Sequence, residues 1–189
     1  MPLVSRAPRI PRLVFLIGYR ASGKSSLGKL LAAQTGYRLV DTDVELVSRL
    51  GMTITEYFES HGEGAFRNAE SAVLREAIES ASEPDSMGAF IATGGGVVLS
   101  KDNVDLMRQR GRVVWLNAPP AVLRQRLGAD PNSGVMRPSL SGAASATDEV
   151  ETVLAERLPL YRSAAHVELS TESGAPEELV DELLNQLGS

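Results

Sequence analysis

Residues 13–26 read LVFLIGYRASGKSS, and the fold is decided by how this stretch is taken. LVFLI is a continuous apolar run of strand length that ends at Gly18. A run without polar alternation fits a strand buried on both faces of a parallel sheet. Gly18, Gly23, Lys24 and Ser25 then match G-x-x-x-x-G-K-[ST] in the context that motif requires, between a buried strand and a helical pattern over 24–34. In such a loop, backbone N–H groups and the helix N-terminus converge on nucleotide phosphates. Lys24 is expected to reach the β- and γ-phosphates, and the Ser25 hydroxyl to ligate Mg²⁺.

Outward from this stretch, RLV before Asp41, AFIAT from Ala89, RVVWLN from Arg112 and the weaker HVEL from His166 bring the candidate strands to five. Helical patterns separate them, over 24–34, 44–50, about 63–80, 102–110 and 121–127. Asp148 with Glu151 suggests a capping pair opening a helix with Val150, Val153, Leu154, Arg157 and Leu158 along one face. A last helix is expected from Pro176, with Glu177 and Glu178 in its first turn. Alternating strands and helices imply an α/β fold, a parallel sheet covered on both sides, whose ligands sit beyond the carboxyl ends of the strands. Gly18, Asp41, Thr93 and Asn117 each follow a candidate strand and are therefore expected near the site.

The 189 residues suit one domain, expected over 13–189, and the 12 residues before it read as a short disordered arm. That arm is basic but lacks the apolar stretch of a secretory signal, and no run approaches a spanning helix, so no membrane association and a cytoplasmic location are expected. The absence of cysteine excludes disulfides and thiolate metal sites, and two isolated histidines argue against zinc. A net charge of -5 argues against a nucleic-acid surface and favours small-molecule partners. Of 19 basic residues 16 are arginine, the side chain suited to forked recognition of carboxylate and phosphate, although a codon bias accounts for the excess equally well. The small, polar segment over about 128–146 interrupts the alternation and is expected to be a mobile lid.

A phosphate loop does not identify the acceptor. Asp41 and Asp43 in DTD, at a strand end, can send two carboxylates into one crevice, one for hydrated Mg²⁺ and one for the proton of an attacking hydroxyl; Asp43 as a helix N-cap is the competing reading. Arg67 and Glu70 in AFRNAE are adjacent on one helix face, which an exposed ion pair would also explain. The glycines of TGGG (93–96) let a ligand approach the backbone closely, or simply make a tight turn.

Taken in order, the phosphate loop, DTD, FR, TGGG, RPSL and ERLPLY resemble shikimate kinase, over about residues 13–187. That resemblance implies a P-loop kinase fold with five parallel strands in the order 2-3-1-4-5 and Mg²⁺-dependent transfer of the ATP γ-phosphoryl group to the 3-hydroxyl of shikimate, a step of chorismate and aromatic amino-acid biosynthesis. A monomer is expected. By the same resemblance Gly18, Ala21, Ser22, Gly23, Lys24, Ser25 and Ser26 bind ATP, with Arg126 and Pro176 flanking the adenine. Asp41 holds the metal through water, and Asp43 binds the ring hydroxyls and serves as base. Arg67 and Arg157 clamp the substrate carboxylate, Glu70 orients Arg67, and Gly94, Gly95 and Gly96 line the ring. Arg137 swings in with the lid and stabilises charge on the transferring group.

Two residues depart from the family pattern. Ala21 stands where the family has glycine; a positive φ there would strain the loop by about 1 kcal/mol or more, whereas a negative one would make the change harmless. Ser139 replaces an apolar residue of the lid. Two other functions are weighed: a related small-molecule kinase such as a gluconate kinase, and a sensor that binds shikimate without turnover. The joint presence of DTD, FRNAE and TGGG speaks against the first, and intact Lys24 and Asp43 against the second.

Overall fold

The computed structural model describes residues 10–129 and 149–188. Its centre is a five-stranded parallel sheet, with β1 Leu13–Ile17, β2 Arg38–Asp41, β3 Ala89–Ala92, β4 Arg112–Asn117 and β5 Val167–Ser170 in the order β2-β3-β1-β4-β5. Strand β1 lies in the middle, with Leu16 opposite Ala92 on one side and Val114 on the other. All five of its residues are buried. That is why its sequence shows no alternation: both of its faces are core. Strands β2 and β5, at the sheet edges, are partly exposed.

Successive β1 side chains go to opposite faces. Leu13, Phe15 and Ile17 pack with α3 Ile54–Ala81, α4 Lys101–Arg110, α5 Pro120–Ala129 and α6 Val150–Ala164. Val14 and Leu16 pack with α1 Lys24–Thr35 and α7 Pro176–Leu187. Each fully buried aliphatic or aromatic side chain here stabilises the fold by about 1.5–3 kcal/mol relative to exposure. Helix α2 Thr42–Leu50 joins α3 in a smaller cluster of Leu46, Ile54, Phe66 and Val73 beside the β2 edge.

The third helix begins earlier than its apolar pattern suggests. Gly62, at φ 79 and ψ 170, divides it, and the part from Glu63 matches the expected 63–80. The part from Ile54 is opened by a capping box in which Thr53 and Glu56 bond each other's backbone N–H. Helix α6 opens at Val150 with Glu149 as its N-cap and no side-chain cap bond, and Glu151 pairs with Arg124 at 3.0 Å; Asp148, the other half of the expected capping pair, lies outside the described residues. Of the arm expected over 1–12, residues 1–9 lie outside them too. The Tyr37 hydroxyl donates to Ile10 O, and Arg12 donates to the carbonyls of Glu83 and Ser86, so the chain from residue 10 is tied to the domain. No helix of the described residues is long and apolar enough to cross a membrane.

Candidate active site

The phosphate loop leaves β1 at Gly18, whose φ of 145 favours glycine, and a side chain there would also come within 2.5 Å of Leu116 O and 2.8 Å of Ser22 Oγ. Lys24, buried at the start of α1, turns its ammonium onto the loop, donating to Gly18 O at 2.9 Å and Tyr19 O at 2.8 Å. Ala21 has a φ of 59, and it is the one non-glycine residue with positive φ among those described. The alanine therefore occupies the left-handed region that the family's glycine suits, and the strained alternative of the two holds.

Two clefts flank this loop. Ala21, Ser22, Gly23 and Ser26 line one of them together with Arg126 and Pro176, so every described residue expected around the nucleotide, apart from the loop's own Gly18, Lys24 and Ser25, faces a single space. Arg126 is held there by Thr171, to whose carbonyl its Nη2 donates at 2.5 Å, and the Thr171 hydroxyl donates to Ser22 O at 3.1 Å. Thr171 thus ties the end of β5 to the loop. It has no motif around it and was not singled out from the sequence.

Asp43, Arg67, Gly94, Gly95, Gly96 and Arg157 line the second cleft. Asp41, at the end of β2, is the residue that caps α2: its Oδ1 accepts from the backbone N–H of Asp43 at 3.1 Å and Val44 at 3.4 Å. Asp43 is therefore not the cap but sits in the first turn, half-buried, against the TGGG turn. The other oxygen of Asp41 accepts from Ser25 Oγ at 2.5 Å, so the two residues expected at the metal are in contact.

The TGGG turn is fixed from three directions. Thr93 donates from its backbone N–H and its hydroxyl to Leu16 O, the Gly94 N–H donates to Thr42 Oγ1, and Gly95 O accepts from Tyr161 Oη at 2.5 Å and Arg157 Nη1 at 3.3 Å. Gly94 and Gly96 are required for space. A side chain on Gly94 would lie 2.6 Å from Glu70 Oε1 and 2.9 Å from Asp43 Oδ1, and one on Gly96 would overlap the Arg67 guanidinium. The turn keeps regular φ at all three glycines, so what they admit is the set of acidic and basic side chains that forms the cleft.

Arg67 Nη1 donates to Glu70 Oε2 at 3.0 Å, and Glu63 approaches Nη2 at 3.3 Å. Glu70 is buried, and burial pushes its carboxyl above its ordinary value, while the neighbouring Arg67 pulls in the opposite direction. Arg157 is 7% exposed and has no carboxylate within ion-pair distance among the described residues. Ile54, Phe58 and Phe66 supply an apolar wall opposite these charges. Phe66 belongs to the FR motif, whereas Ile54 and Phe58 stand outside every motif, although the capping box and their spacing carry the signal of an amphipathic turn. Arg137 and residues 130–148 of the expected lid lie outside the described residues.

Comparison with known proteins identifies the family. The family model described as shikimate kinase matches residues 20–188. Shikimate kinase 2 of Syntrophotalea carbinolica is 41% identical over 174 residues, 92% of this chain and 95% of the relative. Among solved structures, a shikimate kinase from Acinetobacter baumannii in complex with shikimate superposes with a TM-score of 0.82 at 32% identity, covering 95% of this chain and 94% of that one. A shikimate kinase from Bacteroides thetaiotaomicron gives 0.81 at 30% identity, covering 95% and 99%. With a phosphate-loop motif between β1 and α1, this sheet order, and a family model and relatives that cover nearly its whole length, the chain belongs to the shikimate kinase family.

Proposed function

We propose that this enzyme transfers the γ-phosphoryl group of ATP to the 3-hydroxyl of shikimate, with ATP in the cleft that Arg126 and Pro176 line and shikimate in the cleft of Asp43, Arg67 and Arg157. The observation that carries the assignment is Arg157, a buried guanidinium with no carboxylate partner among the described residues. Glu70 acts on this guanidinium only from beyond ion-pair distance, and a buried cation without a direct partner favours an incoming anion. Arg67 beside it makes a second fork, and a planar carboxylate is the group that two guanidinium forks suit. Glu70 keeps Arg67 turned toward the turn at Gly96.

In the transfer, a bond forms between the 3-oxygen of shikimate and the γ-phosphorus as the bond from that phosphorus to the leaving ADP oxygen breaks. The hydroxyl proton passes to the Asp43 carboxylate. A loose phosphoryl-transfer transition state asks more of positioning than of basicity, so orientation of the hydroxyl is the larger part of Asp43's work. Lys24 exchanges the carbonyls of Gly18 and Tyr19 for the β- and γ-phosphate oxygens. Ser25 and Asp41, a hydroxyl and a carboxylate in contact at the loop, are the hard oxygen donors that suit Mg²⁺, with Asp41 acting through water. A Mg²⁺ held by these residues would neutralise charge on the nucleotide phosphates. We assign Arg137 to the transferring group on the resemblance of RPSL alone.

An ADP-release assay with Mg²⁺ over shikimate, gluconate and nucleoside monophosphates tests the acceptor. Turnover is expected with shikimate only. Release that does not depend on shikimate, from folded protein, overturns the assignment.

A further inference from the structure

The phosphate-loop motif asks only for backbone at Arg20, yet this side chain is 7% exposed and lines the same cleft as Asp43, Arg67 and Arg157. Its Nη2 pairs with Glu149, itself 1% exposed, at the N-cap of α6. Its Nε and Nη1 are buried and have no hydrogen-bond partner among the described residues. A side chain on Gly95 would meet Gly18 O at 3.4 Å and the Arg20 N at 3.5 Å. Loop and TGGG turn thus pack backbone to backbone, and Arg20 enters the cleft at the seam between the donor and acceptor halves.

A buried donor without a partner is costly, and two on one guanidinium are a strong demand for oxygen. The chemistry of that oxygen follows from charge. Glu149 already pairs with Arg20, whereas Arg157 has no carboxylate within ion-pair distance among the described residues; the acceptor's anionic group belongs with Arg157 and Arg67, and the donors of Arg20 suit neutral oxygens. We infer that Arg20 is a third substrate-contacting guanidinium of this cleft, donating from Nε and Nη1 to ring hydroxyls of the acceptor, with Glu149 as the positioning residue that fixes its plane. The inference rests on the assignment of this cleft to shikimate. It makes Arg20 a specificity determinant: an acceptor lacking the matching hydroxyl leaves those donors unpaired, the form of discrimination that hydrogen-bonding sites perform best.

The test has two arms. In nucleotide-free wild-type protein, the Arg20 Nε–H resonance shifts saturably as shikimate is added; a resonance unmoved at saturation overturns the inference. In steady-state kinetics, Arg20→Met, which keeps bulk and removes every donor, raises KM for shikimate about tenfold or more with KM for ATP within about twofold. It also narrows the discrimination between shikimate and a mono-deoxy analogue. Glu149→Gln moves KM for shikimate in the same direction by a smaller factor, again without KM for ATP, which a merely structural pair would not do. A folded Arg20→Met enzyme with wild-type KM and discrimination makes Arg20 a structural cation. If wild-type protein itself fails to phosphorylate shikimate, the assignment of the cleft has failed instead, and the two failures are distinct. Where Arg20→Met does not fold, the resonance of the wild type decides.

Discussion

Ser25 Oγ donates to Asp41 Oδ2 at 2.5 Å, while Asp41 Oδ1 accepts the backbone N–H groups of Asp43 and Val44. One carboxylate thus makes two contacts, a helix cap through one oxygen and the Ser25 hydroxyl through the other, and the proposed function gives the second a role at the metal. The two separate by substitution. Asp41→Asn keeps an oxygen for the cap but loses the charge, so its Tm stays near wild type while the Mg²⁺ concentration for half-maximal rate rises about tenfold or more. Asp41→Ala loses both, with a further stability loss of about 1 kcal/mol. Titrating Mg²⁺ in the assay beside thermal melts checks this; an unchanged Mg²⁺ requirement in Asp41→Asn removes Asp41 from the metal site.

Ala21, at φ 59, holds a conformation that costs an L-residue about 1–2 kcal/mol, and glycine would relieve it while loosening the unfolded chain by about 0.4–1 kcal/mol. The first effect is the larger. Ala21→Gly is therefore expected to melt at or slightly above the wild-type temperature, and Ala21→Val, branched at Cβ, several degrees below it. A lower Tm for Ala21→Gly would mean that packing of the methyl group outweighs backbone strain.

How much of this was legible in the sequence depends on the range of the interaction. Strands β1 and β4 are contiguous apolar runs whose limits are where their patterns end, because burial on both faces leaves nothing polar within them. The phosphate loop, DTD and TGGG come together because each lies at the carboxyl end of a neighbouring strand, whereas Arg67 and Arg157 are brought to them by α3 and α6. Arg20 and Glu149 were not legible: 129 positions separate them, and neither type nor spacing marks a buried pair. Ala21 was legible as a departure but not as strain, since its φ is set by the loop around it. The role of the three glycines was half legible; the sequence shows that something approaches the turn, but only the packing shows that Glu70, Asp43 and Arg67 do so.

Glu70 gives stability a pH dependence. Burial raises its carboxyl in the folded state, against the pull of Arg67, so ionisation is disfavoured by folding. A carboxyl raised in this way contributes stability that is present below its unfolded pKa and lost as pH rises through the folded one. Glu70→Gln mimics the protonated form. The Tm difference, variant minus wild type, is expected near zero at about pH 4 and positive at about pH 7. Melts at both pH values check the sign, and a difference that falls with pH contradicts it.

Arg67 faces the cleft while held by Glu70 and Glu63, and its assigned task is binding rather than chemistry. Arg67→Ala is expected to raise KM for shikimate by about 10–100-fold with a much smaller effect on KM for ATP. A normal KM for shikimate would place the substrate carboxylate elsewhere.

Asp43 fails differently. It stands in the first turn of α2, its backbone N–H fixed by Asp41 and its Oδ1 close beside Gly94, so substitution by asparagine leaves the shape of the cleft intact. What the amide lacks is the charge and the capacity to take the hydroxyl proton. Both matter in the transfer step and neither touches the nucleotide cleft, so Asp43→Asn should lower kcat by about 10²–10⁴ while the Kd for ATP moves by less than about threefold. If Asp43 mainly orients the hydroxyl, the residual rate lies toward the upper end of that range and depends weakly on pH, because the amide oxygen still accepts the O–H; if proton acceptance dominates, the rate lies toward the lower end. Single-turnover measurements across pH distinguish these two outcomes, and an unchanged kcat removes Asp43 from both roles.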